Sequence, residues 1–188
     1  MEIFIIIVIC FFIIYCLDKY IQKKSIINSN KNKKYIFSYG SLLNMYVQKV
    51  LLKNIKTLPP KAILSKESGY KRLWIEGSGG ISLGVFQTNN PDDINGVILE
   101  FDESKYINFK KYETNETQHY IKKISWDHIK VKNKSAYKNS DLYIYVVKGF
   151  PKRASIVEKM PNLYAQTVMD GFNRYGEDYL DLFLSTTG

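Results

Sequence analysis

Runs of apolar and polar residues divide the chain after residue 34 into short extended segments and a few helices. Extended, β-rich segments separated by Gly, Asn and Pro predict strands at residues 35–39, 62–64, 69–75, 81–87, 95–101, 119–126 and 141–147. Apolar positions at helical spacing predict a helix after residue 41, a short helix over 104–112 and a helical C-terminus after Pro161 with a second run over 177–184. Because these strands do not alternate one for one with helices, the pattern predicts an α+β fold around a curved sheet or barrel.

The N-terminal part of the chain has a different pattern. Residues 3–17 are apolar without interruption, and the stretch up to Ile21 with its flanking lysines extends that run towards the ~20 residues of a spanning helix. A signal peptide is the rival interpretation, but Glu2 is the only charge before the run and no small-residue cleavage site follows it. We therefore expect residues 1–24 to be a single transmembrane anchor with a basic flank, in contact with the membrane through residues 3–21.

The charges that flank this anchor predict its orientation in the membrane, and the residues that follow it divide into a tether and a domain. Six lysines lie between residues 19 and 34 and none precedes the span, so the positive-inside rule places the following domain in the cytoplasm. Residues 25–34 are polar and lack periodicity, which is typical of a flexible tether. Residues 35–188 then form one domain, since a chain of 188 residues with 45% apolar content suits a single core.

Composition argues against several classes of function. The formal net charge is +9, but only three of the 27 basic side chains are arginines, so specific nucleic-acid binding is not expected. Both cysteines, Cys10 and Cys16, lie in the apolar run, which leaves no disulfide framework or cysteine zinc site for the domain. His119 and His128 are the only histidines, and two separated histidines do not indicate a metal centre.

A turn between the first strand and the first helix is the first candidate site. It contains Tyr39, Gly40, Ser41 and Leu42, and we call residues 39–42 the YGSL turn. Glycine permits close approach of the backbone, and the start of a helix offers unpaired N–H groups that bind anions. A simple turn role for Gly40 explains the tetrapeptide equally well. Ser41 is not flanked by the pattern of a nucleophilic serine.

Four stretches in order make the chain resemble the γ-glutamylcyclotransferase-like family. They are FSYGSLLN at 37–44, GYKRLW with ISLGVF at 69–74 and 81–86, INGVILEFDESKYINFKKYE at 94–113 followed by HYIKKISW at 119–126, and MPNLYAQTVMDGFNRYGEDYLDLFLSTT at 160–187. The resemblance implies a small closed barrel of mixed strands flanked by helices. It also implies a reaction without metal or cofactor, in which the α-amine of a γ-glutamyl compound attacks its own γ-carbonyl and releases 5-oxoproline.

The resemblance also implies roles for individual residues. Ile36, Phe37, Ser38, Tyr39, Gly40 and Ser41 match the substrate-binding loop, whose N–H groups would hold the γ-glutamyl head. Glu113, with Tyr120 seven residues later, matches the catalytic acid and base, and apolar neighbours would raise the pKa of its carboxyl. Tyr164, three residues after Pro161, matches a substrate-contacting tyrosine. A core aromatic is the alternative role for Tyr164.

Two departures from the family pattern keep alternatives open. Lys110 and Lys111 stand shortly before Glu113, where the family commonly has Leu-Asp, and they would lower the pKa of the carboxyl if they approach it. Glu116 is a second candidate for the catalytic carboxylate. These lysines, with a sequence that stops soon after the Thr-Thr pair, also fit a membrane-tethered binding or interaction module on the same fold. The sequence favours the enzyme and leaves its γ-glutamyl substrate and oligomeric state open.

Overall fold

The computed structural model describes residues 33–52, 58–77, 80–101, 106, 119–137, 139–149, 151, 154 and 162–187. The strands are β1 (Lys34–Ser38), β2 (Lys61–Leu64), β3 (Tyr70–Gly77), β4 (Gly80–Gln87), β5 (Ile94–Phe101), β6 (His119–Ile124), β7 (Ile129–Val131) and β8 (Asp141–Val147). The α-helices are α1 (Met45–Leu52), α2 (Asn162–Asn173) and α3 (Glu177–Ser185). Short 3-10 turns at Ser41–Leu43, Lys66–Ser68, Trp126–His128 and Lys134–Ala136 complete these elements.

Most of the predicted elements are confirmed, with shifts of a few residues at their ends. The strand β7 was missed because three residues are too few to show a pattern. The helix predicted over 104–112 lies outside the described residues except for Tyr106. The predicted anchor and tether also lie outside them, apart from the last residues of the tether. Among the helices that are described, none is long and apolar enough to cross a membrane.

Six strands form one mixed sheet in the order β6-β8-β1-β5-β2-β7. β1 pairs in parallel with β8 on one side and antiparallel with β5 on the other, which makes it a central strand. Its residues Tyr35–Phe37 are buried almost completely, as expected when both faces of a strand are covered. A Cβ atom added to Gly96 of β5 would lie 2.2 Å from the Ser38 carbonyl oxygen, so glycine is required where β5 crosses the end of β1.

The predicted closed barrel is not found among the described strands. β3 and β4 pair with each other over their full length as a separate two-stranded hairpin. This hairpin meets the six-stranded sheet through side chains: a Cβ atom on Gly84 of β4 would lie 2.7 Å from Val147 Cγ2 of β8. The absent side chain of Gly84 allows this close contact, but the strands lack the continuous hydrogen-bonded ladder that defines a closed barrel. The α+β class is confirmed.

The helix α2 packs directly on the chain that follows β1. A Cβ atom on Gly171 would lie 2.9 Å from the backbone nitrogen of Asn44 and 3.0 Å from the carbonyl carbon of Leu43. Asn44 Nδ2 also donates to the Thr167 carbonyl oxygen over 3.2 Å. The small size of Gly171 and this hydrogen bond together set the position of α2 against the end of the YGSL turn, and Tyr164 lies in the first turns of the same helix.

Candidate functional site

The YGSL turn follows β1 at one end of the central strands and is held there by a hydrogen bond to β8. Tyr39 is buried and its hydroxyl donates to the Tyr145 carbonyl oxygen of β8 over 2.9 Å. Beyond it, Leu43 N–H donates to the Gly40 carbonyl oxygen over 3.0 Å, which closes the 3-10 turn. Since Leu42 and Leu43 are buried, the apolar residues of the turn point into the core while Gly40 and Ser41 stay partly exposed.

The first N–H groups of this turn are available to a ligand. The 3-10 hydrogen bonds begin with the N–H groups of Leu43 and Asn44. Within the described part of the chain, no group accepts a hydrogen bond from the N–H of Ser41 or Leu42. Helix starts generally leave such donors unpaired, and donors of this kind bind carboxylates and phosphates.

Tyr164 stands directly over the turn. Its hydroxyl oxygen would be 3.8 Å from a Cβ atom on Gly40, and it accepts a hydrogen bond from the Leu83 N–H of β4 over 3.4 Å. Its ring meets the Trp74 ring of β3 edge to face, with centroids 6.2 Å apart. Leu83 and Trp74 are opposite each other in the hairpin, so one cross-strand pair positions the tyrosine. The structure thus brings together Gly40 and Tyr164, which are far apart in sequence.

The other residues expected at the site lie in different places. Ile36, Phe37 and Ser38 are buried within β1, between β5 and β8, so their side chains belong to the core. Glu113 and its alternative Glu116 lie outside the described residues. The chain that carries both of them joins β6 at His119, which is opposite Val147 at the end of β8. The YGSL turn follows β1, the parallel neighbour of β8, at this same end of the sheet.

His119 lies closer to the site than the sequence indicated. It is the first residue of β6, opposite Val147 at the end of β8. Burial lowers the pKa of His119, and the backbone of Leu83, the residue that donates to Tyr164, offsets part of that change. Its Nδ1 is buried, and no described residue forms a hydrogen bond with it. The only sequence signal was the position of His119 at the start of a predicted strand.

Sequence reasoning missed a buried cation, Arg72. Arg72 of β3 is fully buried, and its guanidinium donates to Thr187 Oγ1 (2.7 Å), Thr186 Oγ1 (3.1 Å), the Asn95 carbonyl oxygen (2.8 Å) and Asn95 Oδ1 (2.9 Å). It also lies 4.4 Å from the centre of the Phe183 ring. Burial lowers the pKa of Arg72 to about 9. A sequence signal existed: Tyr70, Arg72 and Trp74 share one face of the predicted strand.

A separate surface depression of about 380 Å³ lies at the opposite end of β6 and β8. Its charged groups already have partners: Lys123 Nζ is 2.5 Å from Asp141 Oδ1, and Asp127 Oδ2 accepts from the Ser125 hydroxyl over 3.0 Å. It therefore offers less to a ligand than the YGSL turn. The described residues contain no group of three or more His, Cys, Asp or Glu side chains placed to hold a metal ion.

Solved structures of the same fold exist. An uncharacterized human protein aligns over 83% of this chain and 89% of its own, at 16% identity and a TM-score of 0.56. A structure named γ-glutamyl cyclotransferase aligns over 82% of this chain and 88% of its own, at 15% identity and the same TM-score. A yeast γ-glutamyl cyclotransferase specific to glutathione aligns over 83% and 96%, at 12% identity and a TM-score of 0.51. No protein-family model and no curated protein matches the sequence.

Proposed function

We propose that this chain, which shares the fold of γ-glutamyl cyclotransferases, converts a γ-glutamyl compound to 5-oxoproline and a free amine or amino acid. The observation that carries the proposal is the meeting of the YGSL turn, with its unpaired N–H groups on Ser41 and Leu42, and the Tyr164 hydroxyl. Fold alone does not assign a reaction, so the proposal depends on this site.

The proposed reaction needs only binding, orientation and proton transfer. The α-amine nitrogen forms a bond to the γ-carbonyl carbon of the same molecule, and the bond from that carbon to the leaving nitrogen breaks. Ser41 and Leu42 N–H groups would bind the α-carboxylate, and the Tyr164 hydroxyl would bound the folded substrate on the side that faces Gly40. Holding the two reacting atoms together in this way supplies much of the rate enhancement of intramolecular reactions.

A carboxylate must carry the proton from the attacking nitrogen to the leaving nitrogen, and we assign this role to Glu113. It stands six residues before His119, so an extended chain allows it at most about 20 Å from that residue. His119 begins β6 at the end of the sheet where the YGSL turn follows β1. The predicted anchor at residues 3–21 is part of the proposal, with the domain on the cytoplasmic side of the membrane.

The test is to incubate the full chain with γ-glutamyl amines, γ-glutamyl dipeptides and glutathione, and to measure 5-oxoproline. Glu113→Gln should reduce kcat by ~10²–10⁴, because it removes the proton carrier at nearly constant shape. Glu177→Gln, at an exposed position on α3, is the matched control and should keep full activity. Loss of activity in Glu116→Gln but not in Glu113→Gln would transfer the catalytic role to Glu116.

The same experiment tests the alternative, a tethered binding module. If the wild-type chain forms no 5-oxoproline from any compound but binds one of them saturably, the module is correct and the enzyme is not. Binding would then still require the YGSL turn, whose N–H groups do not depend on Glu113.

A further inference from the structure

The YGSL turn does not continue directly into α1, and a buried glutamine side chain binds the carbonyl group that this break leaves without a main-chain donor. Asn44, which lies between the two elements, is extended, with φ −72° and ψ 130°. The Ser41 carbonyl oxygen accepts from the Asn44 N–H, but no main-chain N–H of the described residues donates to the next carbonyl oxygen, that of Leu42. Gln48 Nε2 donates to it instead, over 2.6 Å.

Gln48 is a polar residue at a position where packing alone favours an apolar one. It is fully buried, and burying an amide is costly unless hydrogen bonds replace its water. Its N–H donates to the Asn44 carbonyl oxygen over 3.0 Å, so the first turn of α1 fixes the backbone from which the side chain reaches Leu42. A methionine of similar length would continue the helix and fill the core equally well. The amide of Gln48 therefore contributes its contact with the turn rather than packing.

The residue that Gln48 holds is part of the anion-binding end of the turn. Leu42 and Ser41 carry the two N–H groups for which the described residues offer no acceptor. The planar peptide groups on the two sides of Leu42 share its Cα, so a bond that fixes the carbonyl also restricts the direction of the N–H. Asn44 holds the turn from the other side, because its Nδ2 donates to the Thr167 carbonyl oxygen of α2.

We propose that Gln48 is a positioning residue that fixes the N–H groups of Ser41 and Leu42 for a carboxylate ligand. It acts through the Leu42 main chain and does not touch the ligand. The inference deepens the proposed function, on which its effect on KM rests, whereas its effect on carboxylate binding does not require turnover. Donors that are already in place bind an anion without a further ordering cost. Without the Gln48 bond, the Leu42 peptide group must be ordered when the carboxylate binds, and affinity falls.

The test is Gln48→Met in the full chain, which removes the donor at nearly constant side-chain length. Calorimetric titration with 5-oxoproline, which retains the carboxylate of the γ-glutamyl head, measures binding without turnover. We expect Kd for 5-oxoproline and KM for the γ-glutamyl substrate each to rise about tenfold, the effect of losing one hydrogen bond. The value of kcat should change little, because the reacting atoms are not touched. Gln48→Asn, whose amide is one methylene too short to reach Leu42, carries the same test if Gln48→Met does not fold.

Two controls separate positioning from a general loss of stability. Gln166→Met makes the same substitution on the exposed side of α2, where the amide donates to Asp170 Oδ1 over 2.7 Å. Leu142→Val shortens a buried side chain beside Tyr35, at the end of β1 away from the YGSL turn, and so lowers stability alone. Both controls should keep the wild-type Kd and KM at a temperature where every variant is folded.

Failure of this inference and failure of the proposed function give different results. If the wild-type chain forms no 5-oxoproline but binds it, and Gln48→Met binds it about tenfold more weakly, the proposed reaction fails and the positioning role stands. If the wild-type chain is active and Gln48→Met has the Kd and KM of the two controls, the positioning role is refuted and the proposed function stands. A lower kcat with unchanged Kd also refutes it. A wild-type chain that neither reacts nor binds 5-oxoproline refutes both.

Discussion

Thr187→Val is the sharpest test of the contacts around the buried Arg72. The substitution keeps the shape of the side chain but removes the hydroxyl that accepts from Arg72 Nε over 2.7 Å. Hydrogen bonds to charged groups contribute about 1.5–3 kcal/mol to stability, and Arg72 itself is fully buried. We expect the free energy of unfolding to fall by about 1.5–3 kcal/mol, which lowers Tm by about 3–12 °C for a domain of this size.

The measurement is urea and thermal unfolding of the full chain with two matched variants. Thr88→Val removes an exposed hydroxyl that accepts from the Asn90 N–H over 3.2 Å, so it should change stability by no more than about 0.5 kcal/mol. Thr187→Ser retains the hydroxyl and should keep most of the wild-type stability. A Thr187→Val midpoint equal to that of Thr88→Val, with unchanged m, would refute the assignment of a stabilising role to this contact.

Three further predictions concern the site itself. Gly40→Ala should fold normally, since the new Cβ meets its nearest neighbours at 3.8 Å, but it should raise KM at least about tenfold because that Cβ stands between the turn and the Tyr164 hydroxyl. Ser41→Ala is the control and should have a smaller effect on KM. Equal effects of the two variants would contradict the assignment. Gly171→Ala should lower the free energy of unfolding, measured in urea, by about 1–2 kcal/mol, because the clash of the new Cβ with Asn44 exceeds the gain in helix propensity. A variant more stable than the wild type would contradict the close packing at Gly171. Burial lowers the pKa of His119 from 6.5, so the unfolded chain binds more protons than the folded chain below that pH. The free energy of unfolding should therefore fall as pH decreases below about 6.5. The same slope of unfolding free energy against pH in His119→Gln would contradict this.

Much of the fold was predictable because the strands carry local signals. The apolar segments of β1, β5 and β8 and the punctuation between β3 and β4 marked the strands, and helical spacing marked α2 and α3. Whether the strands close into a barrel was not predictable, because closure depends on hydrogen bonds between strands that are distant in sequence, and the expected closed barrel is not found among the described strands. Gly84 is an example: its missing side chain places the hairpin against Val147, and nothing near Gly84 in the sequence indicates that partner.

The candidate site was predictable only in part, for the same reason. Gly40 and Tyr164 were named from motifs, and the structure places them together. The contribution of Leu83 is made by its backbone N–H, which the identity of the side chain does not reveal. The hydrogen-bond partners of Arg72 could not be named from the sequence, since its acceptors are as much as 115 positions away along the chain.

The buried Arg72 also has a consequence for the order of folding events. A guanidinium stays hydrated until acceptors replace its water, so β3 cannot bury this face before Asn95, Thr186 and Thr187 arrive. During synthesis the threonines emerge more than a hundred residues after Arg72. Docking of the hairpin should therefore be a late step, and because Trp74 and Leu83 belong to the same hairpin, Tyr164 would reach its place over the YGSL turn only then. The nascent domain would therefore complete the end that carries the YGSL turn last.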